Sequence, residues 1–93
     1  MDINGIKTRV LPVLKKADVS RSELFGSAAR GDWLDGSDYD ILVEMKENAT
    51  LIEFAKLKTA LERALSAKVD LVTYDAINDR LKPYIQKDIL RIL

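Results

Sequence analysis

Cysteine and histidine are both absent from the 93 residues. Without cysteine there is no disulfide and no thiolate chemistry, and without histidine the commonest general base and the usual zinc ligand are missing. Any catalysis must therefore run on carboxylates and a metal ion of the kind carboxylates hold. An excess of charge of one sign is lacking too. Fifteen Lys and Arg balance fifteen Asp and Glu, so no general attraction draws the chain to polyanions, and neither nucleic acid nor an anionic membrane is an expected partner. No apolar run approaches transmembrane length and no apolar leader precedes a cleavage site, so the expected setting is the cytoplasm. Repeats, low-complexity tracts and linkers are missing as well, which leaves one domain over residues 1–93. A hydrophobic content of 47% supplies a core, but a domain of this size buries limited surface and often gains stability from a partner.

What is present begins with a helix. Ile3, Ile6, Val10, Val13, Leu14 and Ala17 recur at helical spacing, predicting an amphipathic helix over 3–17 that Pro12 kinks. Arg21 to Phe25 reads as a first strand and residues 38–45 as a second. Thr50-Leu51-Ile52-Glu53 has the form of a capping box, opening a helix that turns Leu57, Leu61, Ala64 and Leu65 inward and ends near Ser66. Val69 to Tyr74 reads as a third strand, followed by a short turn or helix at 76–79 and a terminal helix from about Pro83. That last helix would carry Tyr84, Ile85, Ile89, Leu90, Ile92 and Leu93, too many for one narrow stripe. It either folds back over the sheet or meets another chain, as a homo-oligomer or with a protein partner.

Two motifs carry chemistry. Gly26 follows a short apolar strand and precedes Ala28-Ala29-Arg30, so the chain can turn sharply and open a helix with Ser27 near its N-cap. The free N–H groups and dipole of a helix start suit a phosphate, with the Ser27 hydroxyl as an added donor. Ten residues later, Asp38 and Asp40 alternate with Tyr39, Ile41 and Val43 and project from one face of a strand. Adjacent carboxylates repel unless a cation joins them, and Mg²⁺ takes one or two carboxylates plus phosphate oxygens and water. Asp70, between Val69 and Leu71, is a third carboxylate in a strand-like run. It either lines up across the sheet from Asp40 or sits at an edge paired with Lys68 or solvent. Arg30 either adds positive charge at the phosphates or pairs on the surface with Asp32 or Glu44. The Gly26 to Gly31 spacing is not a P-loop, since Asp32-Trp33 stands where Lys-Ser/Thr is required. Asp38-x-Asp40 does not begin an EF-hand either, because Leu42 and Val43 replace a ligand and the turn glycine.

Gly26-Ser27-x10-Asp38-x-Asp40, with Ala29-Arg30-Gly31 inside the gap and Asp70 downstream, resembles the minimal nucleotidyltransferases of the DNA polymerase β-like superfamily. The likeness covers nearly the whole chain. It implies an α+β fold, a small mixed sheet flanked by helices. It also implies Mg²⁺-dependent nucleotidyl transfer with two ions on Asp38, Asp40 and Asp70, and phosphates at Gly26, Ser27 and Arg30. In the antitoxin branch, the resemblance implies transfer of AMP from ATP to a tyrosine of a HEPN-type toxin. Two other functional classes remain open on the sequence: a non-catalytic antitoxin that covers its partner, and a transferase acting on a nucleic-acid end or a small molecule.

Overall fold

The computed structural model describes residues 3–26, 29, 38–76 and 89–93. Helix α1, Ile3–Lys16, continues through Pro12 and buries Ile6, Val10 and Leu14 at the spacing the sequence predicts. Asp18, in left-handed backbone at φ 58°, reverses the chain, and the Val19 amide closes the turn on the Leu14 carbonyl at 3.0 Å.

Among the described residues, four strands form one mixed sheet in the order β3-β2-β1-β4. Strand β1, Arg21–Phe25, lies antiparallel to β2, Tyr39–Glu44, with Leu24 opposite Ile41 and Phe25 opposite Asp40. Strand β3, Val69–Thr73, runs parallel to β2, a pairing that needs a crossover. The crossover is helix α2, Leu51–Leu65. Thr50 caps its start, the hydroxyl accepting the Glu53 amide at 3.1 Å. The Glu53 carboxylate reaches back to the Thr50 backbone, completing the expected capping box, and its Oε2 also pairs with Lys46 at 2.9 Å. At the far end Ser66 adopts φ 52° and its N–H returns to the Glu62 carbonyl, a left-handed cap that stops the helix.

Helices α1 and α2 lie on one face of the sheet. Ile6, Val10 and Leu14 from α1 join Leu57, Leu61 and Leu65 from α2 against Leu24, Tyr39, Ile41, Val43, Val69 and Leu71. Ser22 shares this interior, fully buried, and its hydroxyl donates to the Leu42 carbonyl at 2.8 Å, which removes the cost of an unpaired polar group. Strand alternation sends Glu23, Phe25, Asp40, Leu42, Asp70 and Val72 to the opposite face. This is the expected α+β architecture. No helix among the described residues is long and apolar enough to cross a membrane.

The terminal helix is where the structure departs from the sequence reading. Ile89–Arg91 is strand β4, antiparallel to β1 with Leu24 opposite Leu90. The predicted helical stretch before it, with Pro83, Tyr84 and Ile85, lies outside the described residues, as does most of the predicted turn at 76–79. A single 3₁₀ turn, Tyr74–Ala76, follows β3 directly. The physical reason for β4 is the edge of β1, whose backbone groups need partners. Ile92 donates to the Ser22 carbonyl at 2.9 Å, and the Ser22 amide donates to Leu93 at 3.1 Å. Ile92, 5% exposed, thereby closes the chain's own core, while Leu90 is 37% exposed.

Ile92→Ala should therefore lower unfolding free energy by about 2–5 kcal/mol, the range for truncating a buried Ile. Leu90→Ala should cost clearly less. Urea melts of the two variants check this, and equal losses would contradict the placement of Ile92 in the core.

Candidate active site

Tyr39 sets the geometry. Its side chain is buried at 2% exposure, and burial, partly offset by Arg9, raises its phenol above the ordinary value. With Tyr39 anchored in the core, alternation turns Asp40 to the opposite face. Asp38, immediately before β2, is exposed. In the parallel pair Asp40 stands directly opposite Asp70, so the two carboxylates occupy adjacent positions on one face. Two hydrogen bonds fix this register at its start. The Tyr39 amide donates to the Lys68 carbonyl at 3.0 Å, and the Val69 amide donates to Glu62 Oε2 at 3.1 Å. Glu62 thus ties the last turn of α2 to the residue before Asp70.

Gly26 comes up beside this pair. It follows Phe25, the cross-strand partner of Asp40, and has φ +74°, a conformation that favours glycine. A Cβ built there would collide with Asp40 Oδ2 and lie 3.1 Å from Asp40 Cγ. The missing side chain is what lets the Asp40 carboxylate stand against the backbone where β1 ends.

The structure thus brings together Gly26, Asp40 and Asp70, and places Asp38 two residues before Asp40. Ser27 and Arg30 lie outside the described residues. Among the described residues no three acidic side chains already gather about one point as a metal cage. The donor set nonetheless fits Mg²⁺ in kind: hard carboxylate oxygens, two of them on registered positions, beside a cradle that a Cβ would fill. That ion needs only one or two carboxylates when phosphate oxygens and water complete its shell. A cavity of about 820 Å³ opens elsewhere, lined by Val43, Met45, Leu51, Phe54 and Tyr74 among others. It lies at the far ends of β2 and β3 and includes none of the three aspartates.

The nucleotidyltransferase domain profile matches residues 7–92. The chain belongs to the nucleotidyltransferase domain family. This nucleotidyltransferase is 41% identical over 93 residues to a Methanocaldococcus jannaschii protein named "Putative protein adenylyltransferase MJ0435", covering 100% of each chain. It is also 41% identical over 68 residues to "Protein adenylyltransferase MntA" of Thermococcus cleftensis, covering 73% of this chain and 65% of that one. Among solved structures it superposes with TM-score 0.74, at 20% identity, on a chain from a complex of a tri-AMPylated Shewanella oneidensis HEPN toxin with an MNT antitoxin. That match covers 98% of this chain and 71% of the other. At that identity it speaks for the fold.

One cluster on the aspartate face escaped the sequence reading. Glu23, two residues before Phe25, binds both Arg21 and Tyr74. Strict alternation with buried Ser22 and Leu24 was the available signal, since it sends Glu23 to the same side as Asp40.

Gly26→Ala should destabilise the fold, because left-handed backbone costs an L-residue about 1–2 kcal/mol and the methyl group also meets Asp40. Combining it with Asp40→Ala removes the collision, so the double variant should be less destabilised than the sum of the singles. Strictly additive melts would mean that Gly26 and Asp40 do not compete for space.

Proposed function

We propose that this nucleotidyltransferase moves AMP from ATP to a hydroxyl acceptor, that the acceptor is a tyrosine of a HEPN-type toxin, and that the protein serves as its antitoxin in the cytoplasm. The observation that carries the reading is the Asp40 and Asp70 pair in register beside a glycine with no room for a side chain. The adenylyltransferase names of the relatives and the AMPylated toxin in the structurally similar complex supply the acceptor class.

In this reading Asp38, Asp40 and Asp70 hold Mg²⁺, with two ions the expected number. The bound metal supplies charge neutralisation at the triphosphate and a lowered pKa for the acceptor hydroxyl. The chain's own groups do the rest. Gly26 and Ser27 present donors to the β- and γ-phosphates at a helix start, and Arg30 adds positive charge. Asp70, on the strand farther from Gly26, faces the acceptor and takes its proton as the oxygen attacks the α-phosphorus. Pyrophosphate departs in line. The carboxylate pair repels when nothing lies between its members, which the packing of Tyr39, Val69 and Leu71 beneath it offsets.

Asp38→Asn and Asp40→Asn keep shape and remove charge. Each should leave the melting transition intact and slow labelling of a HEPN protein from α-labelled ATP by about a hundredfold or more, roughly 2.7 kcal/mol of barrier. Asp70→Asn should slow transfer more than it weakens ATP binding by calorimetry. Near wild-type labelling in both Asp38→Asn and Asp40→Asn at saturating Mg²⁺ would sink the assignment. Neutralisation of the toxin without labelling would instead identify a steric antitoxin.

A further inference from the structure

Tyr74 closes the turn after β3, yet its hydroxyl does not stay on that side of the sheet. It donates to Glu23 Oε1 at 2.7 Å. Glu23 belongs to β1, and β2 separates β1 from β3, so the phenol reaches across β2. The same carboxylate oxygen is held by Arg21 Nη2 at 2.9 Å, and the Glu23 side chain is only 12% exposed. The Arg21 guanidinium also stands over the ring, 4.7 Å from its centroid. Phenol, carboxylate and guanidinium form one closed cluster.

Its position relative to the aspartates is fixed by register. Glu23 is opposite Leu42 and Phe25 is opposite Asp40, so Glu23 and Asp40 share a face as diagonal neighbours, about 7–8 Å apart at Cα. The residue whose carboxylate binds the tyrosine oxygen therefore stands one pleat along the same face from the row that carries Asp40 and Asp70.

The cluster has the parts of an activated nucleophile: an attacking hydroxyl, a base within hydrogen-bond reach, and a third group that orients the base. Burial first, and then the bond to Glu23, raise the Tyr74 phenol above its ordinary value. The phenol is thus protonated at neutral pH, and it attacks only as a base removes its proton in the transition state. Glu23 is already at that proton.

We propose that Tyr74 is itself an adenylation site, accepting AMP from ATP bound at the aspartate row of its own chain. The proposal rests on the nucleotidyl-transfer reading above. Tyr74 Oη attacks the α-phosphorus of ATP and forms a new P–O bond. The bond from the α-phosphorus to the bridging oxygen of the β-phosphate breaks, and pyrophosphate leaves with the electron pair. The phenolic proton passes to Glu23 and from there to solvent. The product carries one AMP as a phosphodiester on Tyr74, lying over the sheet face that the next nucleotide would need.

The test is incubation of the purified chain with α-labelled ATP and MgCl₂, with and without a HEPN-type protein, followed by intact-mass and tandem mass spectrometry. One AMP per chain, mapped to Tyr74, is expected, absent in Tyr74→Phe and in Asp40→Asn. Glu23→Gln, which keeps a hydrogen-bond partner but no base, should slow self-labelling about a hundredfold. Thermal melts verify that each variant is folded. Label that persists on folded Tyr74→Phe, or that appears only on the HEPN-type protein, overturns the Tyr74 proposal and leaves nucleotidyl transfer standing. No label on either protein, with ATP binding intact by calorimetry, overturns both.

Discussion

The parallel pairing of β2 with β3 is the constraint on which the rest depends. Tyr39 opposite Val69 and Ile41 opposite Leu71 place four apolar side chains on the helices. The same register leaves Asp40 opposite Asp70 on the other face. A slip by one residue would exchange the two faces, driving carboxylates into the core and apolar groups out of it. Core and site are thus one specification. The hydrophobic term that selects the register, on the order of 1.5–3 kcal/mol for each large side chain buried, also sets the carboxylates side by side against their repulsion.

Helix α2 matters to the site for a similar reason. A parallel pair needs a crossover, and this one ends in a left-handed serine cap with the Glu62 carboxylate on the first amide of β3. The turn from helix to strand therefore delivers Asp70 at a defined height. On the other side, Gly26 ends β1 in backbone that tolerates no side chain beside Asp40. The aspartate row is bounded by two local features, one at each flanking element, neither of which contributes a carboxylate to the row.

Much of this was legible in the sequence because it is periodic. The helices showed their 3.6-residue spacing and the inner strands their alternation, and Thr50 and Ser66 marked the ends of α2 within a residue. The carboxylate positions followed from the same alternation once a strand was assumed. Ile89 to Leu93 was misread because a run this apolar fits either period, and what decides it is the unpaired edge of β1, a partner far away in sequence. Glu23 was missed for a related reason. Its partner Tyr74 is 51 residues distant, and nothing local to either residue announces the bond. Ser27 and Arg30 belong to the motif as read from sequence but lie outside the described residues.

The place of β4 bears on how the protein is made. Strand β1 is translated well before β4, the strand that covers its outer edge. Until residues 89–93 emerge, a nascent chain can hold α1, α2 and the aspartate row and still present an open ladder of backbone donors and acceptors, with the Ile92 position in the core unfilled. Such an edge is a template for strands of other chains. Premature termination or proteolytic trimming just before Ile89 would therefore yield a domain with an uncovered sheet edge that tends to self-associate.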